Sequence, residues 1–450
     1  MKRRSDGGDV EVVSIPSDFM FQLNQTEFEQ LKNDLIFQNG ISSWGGTRKL
    51  RGNDSVNPCK KRLTYNTFSK LFCNFAFVMK YVYPYLLTLV LLLTSGTSKA
   101  QGLPTDGPLT IRQTLQQLGE RLLKGKTGSI VAINPENGEI ICLATNTPQG
   151  SDVRLAIGKP QAPGSTFKTA QALTLLSEGI VTPETQMECQ SGITDGNIKV
   201  GCHKHRSPLN LKDALAQSCN TWFIVNFGSM INDDFMYESK EEAITTWRSY
   251  MQSMGLGGPM HIDIQGEQGG LLAGADYLNR RYKDGWDGKT IWWAGMGQGD
   301  VTCTPLQLCN LAVTIANRGW YYVPHIHKDT KNQRYLTKRQ TKVAKEAYAP
   351  VVEGMRLAVE NGTATSIKAS YPICGKTGTI ENPGEDHSAF IAFAPMNNPK
   401  IAIAVYVEHG GFGADLAAPI AGLIIEAYLK GELSKASEEK AKHIEKKKIN

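Results

Sequence analysis

Four apolar runs along the chain predict β-strands, two near residue 130 and two near residue 400. The first pair comes from GSIVAINPENGEIICLAT (128–145), in which residues 134–138 provide a turn. The second pair is HSAFIAFAP (387–395) followed by KIAIAVYVEH (400–409). Because a long stretch of helical pattern separates the two pairs, we expect one sheet closed by distant segments of the chain, with a helical subdomain between them.

Helical spacing of apolar residues predicts helices around these strands. In residues 110–124, for example, Ile111, Leu115 and Leu118 lie on one face. Thr304 as the cap and Pro305 as the first residue give one predicted helix a clear start. The predicted helices are 110–124, a helix starting at Ser165, a helix from about Leu209, 240–254, 305–317, 346–360 and 415–430. The fold class is therefore α/β.

Composition and charge narrow the class of protein. The chain has 450 residues, 41% of them hydrophobic, which allows two or three globular domains. Its net charge is only +6, and the basic clusters CKKR (59–62) and KKK (446–448) lie outside the predicted core. Neither a basic domain nor a basic stripe with interleaved aromatics is present, so no nucleic-acid partner is expected.

An internal segment predicts export. In MKYVYPYLLTLVLLLTSGTSKAQ (79–101), Lys80 precedes an apolar run, and Ser98 and Ala100 form a small-residue cleavage pattern. The run is shorter than the roughly 20 residues that a bilayer span needs, which favours a signal peptide over an uncleaved inner-membrane anchor. In either case the rest of the chain is expected in the periplasm or on the periplasmic side of the inner membrane.

The residues before this signal are unexpected, because a signal should begin a protein. SIPSDFMFQLNQTEFEQLKND and SSWGGTRKL, within residues 15–50, resemble a fragment of a phage antirepressor-type DNA-binding domain. A fragment this short can hardly bury a core. We interpret residues 1–78 as a fused or misassigned segment that does not form a folded domain.

The stretch APGSTFKTAQAL (162–173) places Lys168 three residues after Ser165. Ser165 follows Pro163-Gly164 and can cap the helix that begins there, or it can be a nucleophile activated by Lys168 one turn away. The spacing alone does not decide, since Ser437 and Lys440 repeat it in the charged C-terminal segment.

Two further motifs indicate that Ser165 is a nucleophile as well as the capping residue at the start of its helix. Ser218-Cys219-Asn220 lies on a helical pattern, and Lys376-Thr377-Gly378-Thr379 leads towards a strand. Serine with lysine, then Ser-x-Asn, then Lys-Thr-Gly is the set used by penicillin-binding proteins and class A β-lactamases. Similar short matches occur at 55–57 and 126–128, but only the set at 165, 218 and 376 occurs in order within the exported part.

Residues 118–433 resemble the transpeptidase domain of an elongation-type class B penicillin-binding protein, of the penicillin-binding protein 2 group in a Bacteroides-like form. The matching stretches include GSIVAINPENGEI, PGSTFKT, SPLNLKDALAQSCN, GKTGTIENP and DHSAFIAFAP. The resemblance implies a penicillin-binding, β-lactamase-like fold in which helices flank an antiparallel sheet. It places the transpeptidase domain at 102–432 and leaves 433–450 as a charged tail.

The resemblance also implies the chemistry. Ser165 would be acylated by the D-alanyl-D-alanine end of a peptidoglycan stem peptide, or by a β-lactam, with Lys168 as the base. Ser218 would relay the proton, and Asn220 would bind Lys168 and the substrate. The substrate carboxylate would meet Lys376, Thr377 and Thr379, while Gly378 would let the substrate approach. No cofactor is required. D,D-carboxypeptidase activity, transfer to water, is the related alternative.

A group of cysteines and histidines suggests a structural zinc. Cys189, Cys202, His205 and Cys219 offer three sulfurs and one imidazole, a set suited to tetrahedral zinc, and similar sets occur in elongation-type relatives. His203 is a rival imidazole. The alternative is a Cys189–Cys202 disulfide with Cys219 free, which an oxidising periplasm would favour.

The chain departs from the class B pattern in several respects. The segment between CLATNTP and PGSTFK is short and lacks the usual Asn-Arg-Ala approach to the active serine. Only about 25 residues separate Ala100 from the start of the matching region, so we expect no pedestal domain, which puts in doubt the polymerase partner of elongation-type proteins. Three hypotheses remain: a transpeptidase, a β-lactam sensor or β-lactamase-like protein, and a truncated inactive remnant.

Overall fold

A computed structural model of the chain describes residues 100–449, except 197 and 284, and two short strands near the N-terminus. Those strands, β1 (Lys2–Arg4) and β2 (Val10–Val12), pair antiparallel within a unit that spans residues 1–96. The rest of the predicted segment 1–78, and the signal segment up to Lys99, lie outside the described residues. None of the helices in these described ranges has the length and apolar character that a bilayer span requires.

The second unit, residues 97–450, contains one main antiparallel sheet. Its strands and those of two small hairpins are β3 (Gly128–Ile133), β4 (Ile140–Asn146), β5 (Gly192–Asp195), β6 (Ile198–Gly201), β7 (Trp320–Tyr321), β8 (Arg339–Gln340), β9 (Cys374–Ile380), β10 (His387–Ala394) and β11 (Ile401–Val407). The sheet order is β4-β3-β11-β10-β9, so β3 pairs with β11. The prediction of one sheet closed by distant segments is confirmed, and β9 lies at its edge.

Helices flank the sheet and fill the region between β4 and β9. They are α1 (Gln113–Leu123), α2 (Arg154–Ile157), α3 (Lys168–Ser177), α4 (Leu211–Ala216), α5 (Asn220–Ile231), α6 (Lys240–Ser253), α7 (Ala275–Arg281), α8 (Trp292–Gly295), α9 (Pro305–Ala316), α10 (Gln333–Leu336), α11 (Tyr348–Glu360), α12 (Ala417–Lys430) and α13 (Lys435–Lys446). The implied α/β fold, an antiparallel sheet flanked by helices with a helical subdomain, is confirmed.

Both faces of the sheet are covered, which explains why the strands other than the edge strand β9 are largely apolar. Alternate residues point to opposite faces, so Val131 joins one buried cluster and Ile130 joins the other. The first cluster includes α9 and the helical subdomain, and the second includes α1 and α12. Helix α9 begins as predicted: Thr304 Oγ1 accepts from Gln307 N at 3.2 Å, and Gln307 Oε1 accepts from Thr304 N at 3.0 Å.

The C-terminal segment expected as a charged tail is largely the helix α13. Ala441 and Ile444 are buried against the cluster around α1 and α12, and Glu438 pairs with Arg121 of α1 at 3.1 Å. Most residues of the segment are charged, so its narrow apolar stripe was not recognised in the sequence.

Candidate active site

Ser165 lies in a 3₁₀ turn, Gly164–Phe167, that leads directly into α3 at Lys168. The cap interpretation of Ser165 is wrong. The residue in the cap position is Pro163, whose backbone is helical (φ −74°, ψ −15°) and which makes no side-chain cap bond. A side-chain cap needs an extended residue before the first turn, and here the turn has already begun when the chain reaches Ser165. The serine therefore lies within a tight turn, three residues before Lys168.

Lys168 lies in the interior of the site. Its side chain is fully buried, and its Nζ donates to Ser218 O at 2.8 Å and to Asn220 Oδ1 at 2.6 Å. Ser218 Oγ is 3.4 Å from the same nitrogen. Burial lowers the pKa of Lys168 to about 8, although negative charge at Cys202 and Cys219 opposes the shift. A lysine with this pKa is available as a proton acceptor near neutral pH.

Ser218 and Asn220 stand where one predicted helix breaks into two. The sequence predicts a helix from about Leu209, but Ser218 has a left-handed backbone (φ 57°) between α4 and α5. Cys219 then caps α5, its Sγ accepting from Trp222 N at 3.4 Å. The break turns the Ser218 carbonyl and the Asn220 side chain towards Lys168, which an unbroken helix would not do.

The side of the site opposite Ser218 and Asn220 is formed by the edge strand β9. This strand carries Lys376, Thr377, Gly378 and Thr379. Lys376 is fully buried and donates to Thr377 O at 3.0 Å. Burial, and then the charge of Lys168, hold the pKa of Lys376 well below its usual value. Thr377 Oγ1 lies 2.6 Å from Thr363 Oγ1. The two lysines thus come from opposite walls into one buried region.

Gly378 has a packing reason to be glycine. A Cβ there would lie 2.9 Å from Thr166 Cγ2 and 3.1 Å from Ala389 Cβ. Any larger residue would push β9 away from the turn that carries Ser165.

These residues open onto a groove of about 390 Å³. Its lining includes the predicted Ser165, Ser218, Asn220, Thr377 and Thr379. It also includes His203, which the sequence offered as a rival zinc ligand. The remaining lining residues were not predicted as site residues: Gln298, Thr363, Glu381, Asp386, Phe412 and Ala414. Alternation along β9 could have found Glu381, since 377, 379 and 381 share one side of an extended chain. Thr363 and Phe412 come from loops that no motif marks.

The four predicted zinc ligands lie together beside the groove. One ligand atom from each of Cys189, Cys202, His205 and Cys219 lies within 4.8 Å of every other, and all three cysteines are free thiols. His205 Nε2 lies 3.4 Å from Cys202 Sγ, whereas the rival His203 lines the groove. A hydrogen bond from Cys219 lowers the pKa of Cys202.

Hydrogen bonds connect this cluster to Asn220, the residue that binds Lys168. Asn220 N donates to Cys202 Sγ at 3.3 Å, and Asn220 Nδ2 donates to Gly201 O at 2.8 Å. The β5–β6 hairpin, which ends at Gly201, therefore orients the amide that binds Lys168.

Comparison with known proteins agrees with this geometry. Residues 128–426 match the penicillin binding protein transpeptidase domain. The chain is 29% identical over 377 residues to the peptidoglycan D,D-transpeptidase MrdA of Acinetobacter baumannii, covering 70% of this chain and 54% of that protein. It is 27% identical over 356 residues to the peptidoglycan D,D-transpeptidase PbpA of Mycolicibacterium smegmatis, covering 67% of each. The chain thus spans about half the length of the MrdA relatives that it matches.

Two solved structures resemble this chain in fold and in sequence. The PBP2 of Pseudomonas aeruginosa in complex with WCK 5153 has a TM-score of 0.63 at 27% identity, covering 73% of this chain and 77% of that one. Penicillin-binding protein A of M. tuberculosis, as a penicillin G acyl-enzyme complex, has a TM-score of 0.58 at 25% identity, covering 71% and 80%. Since the family match extends over well more than half of its residues, the chain belongs to the penicillin-binding protein transpeptidase family.

Proposed function

We propose that this chain is a serine D,D-transpeptidase that cross-links peptidoglycan stem peptides through an acyl-enzyme on Ser165. The observation that carries the proposal is the buried Lys168, whose amine is bonded to Ser218 O and Asn220 Oδ1 at the start of the helix that follows Ser165. Family relatives named peptidoglycan D,D-transpeptidases support the same activity. The mechanism uses no cofactor.

In the first half-reaction, Ser165 Oγ attacks the carbonyl carbon between the two terminal D-alanines while neutral Lys168 accepts the hydroxyl proton. A pKa of about 8 leaves part of the lysine neutral near pH 7. The backbone N–H groups of Ser165 and Thr379 are the proposed donors to the oxyanion. When the C–N bond breaks, the proton passes by way of Ser218 to the leaving D-alanine amine.

The β9 wall is the proposed recognition site for the substrate carboxylate. Lys376 is buried behind the groove, and the negative charge of a bound carboxylate would favour its protonated form. The hydroxyls of Thr377 and Thr379 line the groove as donors. The contact between Thr363 and Thr377 hydroxyls adds a positioning role for Thr363. Because Lys376 is buried and the threonines line the groove, the substrate carboxylate would accept hydrogen bonds from the threonine hydroxyls. Its interaction with the charge of Lys376 would act over a longer distance.

In the second half-reaction an amine from a neighbouring stem peptide attacks the ester and forms the cross-link; water in its place gives D,D-carboxypeptidase activity. β-Lactams imitate the D-alanyl-D-alanine end and should acylate Ser165. A relative solved as a penicillin G acyl-enzyme complex supports this chemistry.

Covalent labelling by a fluorescent penicillin tests the proposal. We expect wild type to take the label and Ser165→Ala to take none. Ser437→Ala is the matched control, because Ser437 begins the other Ser-x-x-Lys stretch and bonds to Glu426 in α12 rather than lining the groove. Equal labelling of Ser165→Ala and wild type would contradict the nucleophile assignment.

The lifetime of the label separates the alternatives. A transpeptidase should keep the penicilloyl group for many minutes, since its acyl-enzyme is shielded from water. Loss within seconds would favour the β-lactamase-like alternative. A folded wild type that takes no label would identify the inactive remnant.

We also propose that the catalytic unit acts on the periplasmic side of the inner membrane, where its substrate is found, with residues 79–101 directing export. A reporter enzyme that is active only in the periplasm, fused after residue 101, should be active. Deletion of residues 81–93 should abolish that activity, and an active reporter in the deletion would contradict the proposal.

We propose further that Cys189, Cys202, His205 and Cys219 hold a structural zinc. Three sulfurs and one imidazole whose ligand atoms lie within 4.8 Å of one another fit the donor set and size of a tetrahedral site. The ion would neutralise the thiolates and tie the β5–β6 hairpin to the start of α5. Zinc would thereby orient Asn220 without taking part in the reaction.

Metal analysis and thiol counting of the purified protein test this site. We expect one zinc per chain, lost in Cys202→Ser. Cys303→Ser is the control, since Cys303 is a buried cysteine outside the cluster. One oxidised cysteine pair and no metal would favour the Cys189–Cys202 disulfide instead.

A further inference from the structure

A second cavity, of about 640 Å³, opens beside the active-site groove. The two share Asp386 and Phe412 as lining residues, so they meet at these side chains. The second cavity is otherwise lined by the loop around Glu385, the loop 409–415 and the C-terminal segment 447–449. Its volume lies within the range of about 300–1,000 Å³ that is usual for ligand sites.

The junction between groove and cavity is preformed. Gly411 N donates to Asp386 O at 2.9 Å, which ties the two loops together. Phe412 O accepts from Ser388 Oγ at 3.0 Å and from Asp415 N at 2.9 Å. Although its backbone is held in this way, the Phe412 side chain is 63% exposed. A fixed backbone that projects an aromatic ring into solvent between two cavities is suited to contact with a ligand that occupies both.

The loops and the C-terminal segment bring opposite charges to the second cavity. The loops contribute the carboxylates of Glu385, Asp386 and Asp415, with Asp386 at the junction, whereas the C-terminal segment contributes Lys447 and Lys448, which line only the second cavity. The lysines are placed by the end of α13 and by Ile449 N, which donates to Gly125 O at 3.1 Å. A zwitterionic ligand with its amine towards the groove and its carboxylate away from it matches this order.

We propose that the second cavity is the acceptor site, which receives the stem peptide whose amine resolves the acyl-enzyme. This assignment rests on the proposed transpeptidase function. Asp386 gathers the ammonium at the junction, Phe412 packs against the peptide, and Lys447 and Lys448 bind carboxylates farther along it. The donor peptide stays in the groove along β9, so the two substrates approach Ser165 from different cavities.

The transfer step is balanced within this arrangement. The bound ammonium first releases one proton to water. The nitrogen of the neutral amine then bonds to the acyl carbon as the bond from that carbon to Ser165 Oγ breaks. One amine proton passes to Oγ and restores the serine hydroxyl. The products are the amide cross-link, free enzyme and the proton released from the ammonium, with no further reactant.

Partitioning of an acyl-enzyme between two amines tests the assignment. The full chain is acylated with a small thioester donor. Transfer is measured to the side-chain amine of Nα-acetyl-lysine and to that of Nα-acetyl-lysinamide, which lacks the free carboxylate. Wild type should prefer Nα-acetyl-lysine. The double variant Lys447→Ala/Lys448→Ala should lose about five- to tenfold in transfer to Nα-acetyl-lysine, as expected for exposed charge pairs. Transfer to Nα-acetyl-lysinamide should change less than twofold.

Two controls make the outcome specific. Lys446→Ala removes a charge from the same helix end without touching the cavity lining, and it should behave as wild type. Fluorescent penicillin should label the double variant at the wild-type rate, because acylation takes place in the groove. If the double variant keeps the preference for Nα-acetyl-lysine, or loses both acceptors equally, the acceptor assignment is overturned. Absence of labelling in wild type would instead overturn the acyl-enzyme, and the acceptor site with it.

Discussion

At the scale of the residue, Lys168 sets the pH range of the proposed chemistry. Only its neutral form can accept the Ser165 proton, and burial lowers its pKa to about 8 from the usual 10.5. The acylation rate constant with penicillin should rise about tenfold per pH unit below 8 and level off above it. Rate constants measured between pH 6 and 10 would check this. Lys168→Arg should acylate at no pH, because a guanidinium does not deprotonate in this range. An inflection near 10 would contradict the role.

A second residue-scale prediction concerns Gly297, which supports the turn carrying Ser165. Its carbonyl accepts from Gly164 N at 2.9 Å, its φ is +82°, and a Cβ there would lie 2.2 Å from Gly164 O. Gly297→Ala should therefore cost about 3 kcal/mol of stability and displace the nucleophile. Gly431→Ala has a similar φ of +84° but open space around it, and should cost about 1 kcal/mol without affecting acylation.

Urea unfolding and penicillin labelling would separate these two effects. Equal losses in Gly297→Ala and Gly431→Ala would mean that backbone strain alone explains both. Labelling of Gly297→Ala at the wild-type rate would show that the turn tolerates the shift.

At the scale of the element, α13 is expected to be part of the folded unit. Ile444 is 5% exposed and packs with Ala441 in the cluster shared with α1 and α12. Ile444→Ala should lower the free energy of unfolding by about 2 kcal/mol. Lys442→Ala, on the exposed side of the same helix, should change it by less than about 0.5 kcal/mol. Wild-type stability of Ile444→Ala in urea would show that α13 does not dock.

Most large elements could be predicted from the sequence because their apolar periodicity is strong. The main-sheet hairpins and helices such as α9 follow from such patterns. The features that were missed depend on backbone geometry or on distant contacts. Ser218 breaks a helix by a left-handed φ that its residue type does not indicate, and Pro163 starts a 3₁₀ turn that removes the cap role of Ser165.

In the candidate site, too, residues in local motifs could be predicted, whereas residues brought in by distant contacts could not. Residues such as Lys168 and Lys376 lie in short motifs, so their types and order could be read from the chain. Thr363 and Phe412 reach the groove only because loops far away in sequence fold against β9. No local pattern carries that information, since a threonine or a glycine-flanked phenylalanine fits many surface loops.

At the scale of the whole molecule, His327 joins segments that are far apart in the chain. Its Nδ1 lies 2.9 Å from Asp263 Oδ2, and its Nε2 lies 3.1 Å from Asp106 Oδ1. Hydrogen bonds from Asp106 and then Asp263 raise the pKa of His327 above its usual 6.5. A raised pKa in the folded state means that the stabilisation is fully present below pH 6.5 and is lost as the pH rises through the folded pKa.

His327→Gln should therefore lower the melting temperature more at pH 6 than at pH 9. The difference should correspond to at most about 1 kcal/mol, because the pair is partly solvated. His443→Gln, which replaces an exposed histidine of α13 that pairs with neither Asp106 nor Asp263, is the control. If His327→Gln lost the same stability at both pH values, His327 would hold Asp106 and Asp263 by neutral hydrogen bonds, and the segment around residue 106 would be equally secured in acid and in base. A larger loss at pH 6 would instead show that the protonated ring of His327 binds the segment around Asp106 to Asp263.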